Sequence, residues 1–338
     1  MSAVPSDPSP GKRILLLGAT GTIGRATVRA LVGQGHEVVC FIRPQPDSGL
    51  TPARTTPLDW PDGVIVRQGD ITDPDSLARQ GRCGERFDTL ISCLASRTGR
   101  PRDAWAVDYQ AHSDALKVAS EAGIGQMVLL SAICVQKPLL EFQKAKLAFE
   151  QELMASGLRY SIVRPTAFFK SLSGQIERLR KDKPFLLFGD GALTACKPIS
   201  DEDLGAFIAS CVTDESRWNR ILPIGGPGPA ITPREQGEKL FALLDQKPKY
   251  KHVPVAMMDV IIAMLSAAGR LSPQLRDKAE LARIGRYYAT ESMLVLDPET
   301  GRYDENLTPS YGSDTLFEFY EQVIREEARV ERGDHAVF

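Results

Sequence analysis

The stretch ILLLGATGTIG, Ile14–Gly24, decides the fold predicted for this chain of 338 residues. Its apolar half predicts a buried strand, and glycines follow with the spacing G-x-x-G-x-x-G. Glycines at a strand-to-helix turn let the backbone approach a pyrophosphate, which binds at the positive N-terminus of the helix. We therefore predict a dinucleotide site whose cofactor-binding residues include Gly18, Thr20, Gly21, Thr22, Ile23 and Gly24.

Beyond this motif, short apolar runs alternate with amphipathic stretches, which indicates βαβ units and a parallel sheet. The runs show little polar alternation, as expected for strands covered on both faces. The predicted strands are Arg13–Leu17, Glu37–Ile42, Val64–Gln68, Thr89–Cys93, Gln126–Ser131, Tyr160–Val163, Pro184–Gly191 (with a turn) and Arg220–Gly225. The predicted helices are Gly24–Gly33, Asp73–Gln80, Asp103–Ala122, Leu140–Ser156, Ser171–Lys181, Asp201–Val212 and Thr232–Leu244.

This order of elements predicts the α/β class: a Rossmann-type, doubly wound parallel sheet with a smaller C-terminal substrate lobe. We expect a flexible N-terminus over residues 1–10 and an NADP-binding Rossmann domain over residues 11–170. Residues 171–338 are expected to form mainly the substrate-binding lobe, with elements at about 197–226 returning to the Rossmann domain.

Composition and charge exclude several classes of function. The net charge of −2 predicts no general attraction to nucleic acid or to an anionic membrane. Six cysteines without a C-x-x-C pair, and four histidines without metal spacing, predict no metal site. The proline-rich first residues lack the basic region and apolar core of a secretory signal, so we expect a cytoplasmic protein.

The run Val253–Leu265 is apolar apart from Asp259. It is too short to span a membrane, so no transmembrane segment is predicted. A helix of the lobe, a wall for a flat ligand and a patch for weak, peripheral contact with a membrane surface stay as alternatives for it.

Residues at three further strand ends extend the cofactor site. Arg43 follows the second strand, where an NAD enzyme usually carries an acidic residue, so its guanidinium favours the 2′-phosphate of NADPH. Asp70 and Ile71 follow the third strand near the expected adenine, although Asp70 can equally form a turn. The small residues of SCLAS end the fourth strand, where we expect Leu94 and Ala95 to contact the ribose.

The fifth strand and the helix after it carry a family pattern. Ser131 and Lys146 stand where the short-chain dehydrogenase/reductase family carries its Ser and its Tyr-x-x-x-Lys, and the chain resembles an extended or atypical member. Phe142 replaces the tyrosine that protonates a reduced carbonyl. This departure argues against ordinary alcohol or ketone chemistry and against sugar epimerisation.

A narrower resemblance lies in LLSAICVQKPLLEFQKAKLAFE (Leu129–Glu150) and YSIVRPTAFFKSLSGQ (Tyr160–Gln175). These segments, with SCLASRTG, DAWAVDYQA and PFLLFGDG, are similar to the NADPH-dependent divinyl chlorophyllide 8-vinyl reductases, in which Phe-x-x-x-Lys also occurs. The resemblance implies reduction of the C8 vinyl group of a divinyl chlorophyllide or protochlorophyllide to ethyl. Hydride addition to a vinyl group forms no alkoxide, so no tyrosine is needed to protonate one.

The resemblance also implies roles for individual residues. Lys146 and Ser131 would be catalytic, with Lys146 also holding the nicotinamide ribose. Pro165 would contact the cofactor. The expected substrate-binding residues are Cys134, Phe142, Phe168 and Phe169, and a wide apolar cleft is expected from the last two with Phe185, Phe188 and Val253–Leu265.

Two other functions remain open at this stage. A non-catalytic NADP-binding sensor is compatible with the missing tyrosine, and an isoflavone-reductase-like enzyme would act on a smaller phenolic compound or enone. The sequence leaves the exact pigment, the proton donor and the oligomeric state open.

Overall fold

The computed structural model describes residues 11–44, 60–270 and 272–325, so the N-terminus predicted to be flexible lies outside the described residues. Its strands are β1 Arg13–Leu17, β2 Glu37–Ile42, β3 Ile65–Gln68, β4 Thr89–Ser92, β5 Gln126–Leu130, β6 Arg159–Pro165, β7 Phe185–Phe188, β8 Arg220–Ile224, β9 Tyr250–Val253, β10 Val295–Leu296 and β11 Tyr303–Asp304. Its α-helices are α1 Thr22–Gly33, α2 Pro74–Ser76, α3 Pro101–Ala104, α4 His112–Glu121, α5 Glu141–Ala155, α6 Phe169–Leu172, α7 Ile176–Arg180, α8 Asp201–Ser210, α9 Pro233–Leu243, α10 Val255–Ala268, α11 Pro273–Thr290 and α12 Leu316–Ile324.

The main sheet has the strand order β3-β2-β1-β4-β5-β6-β8, and every pairing in it is parallel. The chain winds outward from β1 to β3 and then returns to place β4 beside β1. In such sheets the ligand crevice opens at the carboxyl ends of the strands where the winding reverses. The predicted Rossmann-type α/β fold is confirmed.

Helices cover both faces of this sheet, which explains why its central strands β1, β4 and β5 are largely apolar. One face packs against α1 and α8 through Val28 and Leu204. The other packs against α4 and α5 through Leu116 and Phe149. In the segment expected to return, at about 197–226, α8 packs on this sheet and β8 is its edge strand, while the division into domains stays a prediction.

The helix predicted over Asp103–Ala122 is not regular. Between α3 and α4 the segment Trp105–Ala111 is π-helical, and Asp108 within it is 1% exposed. Single turns of this kind mark functional sites in many helices. Here the irregular turn places Asp108 inside the protein, next to the strand ends.

The C-terminal lobe has a core of its own. β7 pairs with β9, and these strands pack with α9 and α12 around Phe169, Leu187, Leu240 and Tyr320. The predicted helix Ser171–Lys181 is interrupted by a 3₁₀ turn between α6 and α7.

Candidate active site

The glycine loop has the geometry of a phosphate cradle. Gly18 has φ +78°, and a Cβ there would lie 2.6 Å from the carbonyl of Cys93. A Cβ on Gly24 would lie 2.2 Å from the carbonyl oxygen of Gly18. Helix α1 begins after Gly21, and no described side chain caps it. Its first N–H groups therefore remain available to an anion, so the loop fits the pyrophosphate of a dinucleotide.

The strand ends beside this loop belong to β4 and β6. The chain after β4 runs directly over Gly18, where Leu94 is half-buried and Ala95 is exposed. Pro165 ends β6 and is buried. These three positions border the crevice at the carboxyl edge of the sheet, and their contact with a cofactor stays a prediction.

The predicted adenosine end contains Arg43 and Asp70, both exposed. Asp70 accepts hydrogen bonds from the hydroxyl and the backbone N–H of Thr72, at 2.7 and 2.9 Å. These bonds, and then the nearby charge of Arg43, lower the pKa of the Asp70 carboxyl. Asp70 therefore forms a turn in this structure, while the Ile71 side chain packs into the core beneath it.

Replacing Arg43 by alanine is expected to weaken NADPH binding by roughly 1.5–3 kcal/mol, the scale of a hydrogen bond to a charged group. NADH binding is expected to stay nearly unchanged, since NADH has no 2′-phosphate. Fluorescence titration of both cofactors measures the difference. Arg79→Ala is the control, because Arg79 is an exposed arginine in the helical segment Leu77–Arg82 that follows α2. Equal affinity of the unaltered protein for NADH and NADPH would contradict this role of Arg43.

A second cation lies at the pyrophosphate end, and sequence reasoning did not single it out. Lys170 donates a hydrogen bond of 3.1 Å to the hydroxyl of Thr22, in the first turn of α1. Asp201, at the start of α8, lies nearby: burial raises the pKa of its carboxyl to about 6, and the charge of Lys170 opposes that rise. Lys170 thus supplies positive charge where the phosphates are expected.

Lys146 is held at the carboxyl edge of the sheet by Asp108. Its Nζ lies 2.9 Å from Asp108 Oδ1, and the two side chains are 11% and 0% exposed. The N–H of Ser96 donates to the same oxygen at 3.2 Å. The other oxygen of Asp108 is buried and has no partner among the described residues. Asp108 was missed from the sequence, although it lies in the DAWAVDYQA segment that carries the resemblance.

His112 lies beneath Lys146 and is neutral near pH 7. Its Nδ1 donates to the carbonyl of Val107 at 2.9 Å, which leaves Nε2 to accept a hydrogen bond from the Ser92 hydroxyl at 2.9 Å. Burial, and then the charge of Lys146, lower the pKa of His112 to about 4. His112 therefore supports the site and does not supply its acid.

The hydroxyl of Ser131 is engaged below the site. It donates to Glu150, which is fully buried and forms an ion pair with Arg164 of β6. Ser131 still borders the same narrow space as Lys146 and Asp108. The structure thus brings the two predicted catalytic residues together, but it gives Ser131 a partner in the core, and its catalytic role stays a prediction.

Cys134 and Phe142 meet in one cluster with side chains of α11. Cys134 is 2% exposed, and Phe142 is half-buried. Tyr287 and Tyr288 of α11 pack against them, so a helix from the C-terminal lobe covers the place where the family tyrosine would stand.

The expected cleft wall needs correction. Phe169 and Phe185 are 4% and 3% exposed in the closed core of the lobe, where Phe169 packs on Phe319 at 5.5 Å. Apolar residues fill a core as readily as they line a cleft, and here they fill the core. Phe168 is half-buried against the Rossmann core, and its contact with substrate stays a prediction.

The apolar run Val253–Leu265 lies mostly on α10, which is largely exposed. Met257, Val260 and Met264 are 48%, 57% and 60% exposed. In the described ranges no helix is long and apolar enough to cross a membrane. Peripheral contact of α10 with a membrane surface stays a prediction, as does the location of the protein. The same ranges contain no cluster of His, Cys, Asp or Glu arranged to hold a metal.

The fold and the glycine loop define a Rossmann-type NAD(P)H-binding protein. Residues 18–215 match the NAD(P)H-binding family. Two solved structures share the fold: the NADPH-dependent quinone oxidoreductase QOR2 from Escherichia coli, complexed with NADPH (TM-score 0.63, 18% identity, 92% of this chain and 99% of that one), and isoflavone reductase (TM-score 0.62, 19% identity, 93% and 99%).

A much closer relative identifies the branch. The chloroplastic divinyl chlorophyllide a 8-vinyl-reductase of Oryza sativa subsp. indica is 52% identical over 338 residues, covering 96% of this chain and 82% of the relative. The chain belongs to the divinyl chlorophyllide a 8-vinyl-reductase family.

Proposed function

We propose that this protein reduces the 8-vinyl group of a divinyl chlorophyllide to an ethyl group, with NADPH as the reductant. One observation carries the proposal beyond family membership. Lys146 is fixed by a buried carboxylate at the cofactor edge, while Phe142 stands where a carbonyl reductase needs a phenol. This arrangement suits a reaction in which no alkoxide forms.

The residues divide into those that hold the cofactor and those that face the substrate. The N-terminus of α1, Arg43 and Lys170 suit the phosphates, and Lys146 suits the nicotinamide ribose. Bound NADPH supplies a hydride. Lys146 would hold the nicotinamide ribose and so orient the cofactor toward the outer vinyl carbon. Addition of a hydride there would leave negative charge that spreads from the inner carbon into the macrocycle.

The test compares two pigments that differ only in the group to be reduced. The protein is incubated in the dark, without oxygen, with NADPH and either divinyl or monovinyl chlorophyllide. NADPH consumption with the divinyl pigment alone supports the proposal. NADPH binding without consumption would instead favour a sensor, and consumption with a phenolic enone alone would favour an isoflavone-reductase-like enzyme.

Replacing Phe142 by tyrosine is expected to give equal or lower vinyl reduction. The added hydroxyl has no alkoxide to protonate and needs a hydrogen-bond partner in a cluster that packs around a plain ring. Product chromatography with divinyl chlorophyllide, and a parallel assay with simple ketones, measure the effect. One outcome would contradict this prediction: the parent leaves divinyl pigment unreduced, and the variant reduces ketones strongly. The protein would then be a carbonyl reductase that has lost its acid.

A further inference from the structure

Helix α11 reaches from the C-terminal lobe across the cofactor edge of the Rossmann domain. Tyr287 donates hydrogen bonds to the carbonyls of Cys134, at 3.0 Å, and Lys137, at 3.3 Å. A Cβ on Gly99, in the loop after β4, would lie 3.0 Å from Ile284 of α11. These contacts fix the register of α11 over the site.

The next residue on α11, Tyr288, packs into the cluster that contains Phe142 and Cys134. Its ring meets that of Tyr287 edge-on, with centroids 5.7 Å apart. The Tyr288 and Cys134 side chains belong to the same cluster, so the phenol lies near the thiol. Burial, followed by the neighbouring thiol, raises the pKa of Tyr288 well above its ordinary value, so the phenol retains its proton at neutral pH.

The other acids near Lys146 are already engaged. Asp108 and Glu150 are ion-paired with Lys146 and Arg164, and both carboxylates are fully buried. His112 is neutral, and its one N–H donates to a carbonyl. Tyr288 is half-buried and lies in the same cluster as Phe142, which stands where the family carries its tyrosine.

We propose that Tyr288 is the acid that completes vinyl reduction, an inference that rests on the proposed function. The outer vinyl carbon accepts the hydride, a C–H bond forms there, and the π pair of the vinyl bond moves to the inner carbon and the macrocycle. The O–H bond of Tyr288 then breaks, and its proton forms the second C–H bond at the inner carbon. The phenolate then regains its proton from water.

The test compares Tyr288→Phe with Tyr287→Phe. Loss of a positioned general acid typically lowers a rate by a factor on the order of 10²–10⁴, so Tyr288→Phe is expected to lower kcat by at least about a hundredfold. Its affinity for NADPH, measured by fluorescence titration, and its thermal melt are expected to stay close to those of the parent. Tyr287→Phe removes hydrogen bonds to the backbone and is expected to lower stability while keeping kcat within a few-fold.

The stereochemistry of deuterium incorporation distinguishes a proton donor from a residue with only a structural role. In heavy water the parent protein is expected to place deuterium on one face of the inner carbon, because one fixed acid delivers it. Residual product from Tyr288→Phe is expected to carry deuterium on both faces, since water then delivers it.

A Tyr288→Phe variant with the parent's rate and the same single-face labelling would overturn the assignment of the acid. A parent protein that binds NADPH but leaves divinyl pigment unreduced would contradict the proposed function itself, and this step with it.

Discussion

Replacing Lys146 by alanine is expected to lower kcat for vinyl reduction by about a hundredfold, the order of loss that misplacing a reactant by an ångström produces. Lys146 is the cation that Asp108 holds at the carboxyl edge of the sheet, and no other described cation pairs with that carboxylate. Steady-state kinetics with divinyl chlorophyllide measure the loss. Lys146→Met keeps the aliphatic stem and is expected to lose nearly as much.

The control for this experiment lies on the same helix. Lys144 is half exposed, and it pairs with Glu141 near the surface. Lys144→Ala is therefore expected to leave kcat and the affinity for NADPH unchanged. If Lys146→Ala and Lys146→Met both keep the parent's kcat, Lys146 does not orient the cofactor.

Replacing Arg164 by methionine is expected to lower the free energy of unfolding by about 3–5 kcal/mol. Arg164 is the ion-pair partner of Glu150, whose side chain is fully buried. Without Arg164, the carboxylate of Glu150 keeps only one side-chain partner among the described residues, the hydroxyl of Ser131. Urea denaturation monitored by circular dichroism measures the change.

Two comparisons separate the buried pair from an ordinary surface pair. Lys249 and Asp182 form an ion pair at 2.7 Å, but their side chains are 53% and 74% exposed. Lys249→Met is expected to cost at most about 1 kcal/mol. The double variant Arg164→Met, Glu150→Leu is expected to recover much of the lost stability, because it removes the unpaired charge. An Arg164→Met protein as stable as Lys249→Met would contradict this account.

Local patterns were enough to predict the sheet and the glycine turn between β1 and α1. β1 and β2 have the predicted bounds, and most other strands of the sheet differ from prediction by one or two residues. The helix predicted over Thr232–Leu244 is present as α9, and reciprocal hydrogen bonds between Thr232 and Glu235 cap its N-terminus. Such features depend on side-chain types within a few neighbouring positions, which a sequence displays directly.

Long-range contacts were not predictable in this way. Asp108 meets Lys146 only because an irregular π-helical turn directs it inward, and no short pattern marks that turn. Tyr287 bonds to Cys134 across 153 positions of the chain, so α11 gives no local sign that it covers the site. The position of Phe169 was not predictable either, because an apolar side chain suits a core as well as a cleft, and Phe169 is buried in the core.

The most direct test of the central claim follows the reducing hydrogen into the product. The protein is incubated anaerobically, in ordinary water, with divinyl chlorophyllide and NADPH that carries deuterium at the transferable position. Chromatography, mass spectrometry and NMR are expected to show a monovinyl pigment with one deuterium on the outer carbon of its new ethyl group. Recovery of unchanged divinyl pigment, from protein that binds NADPH normally, would contradict the account.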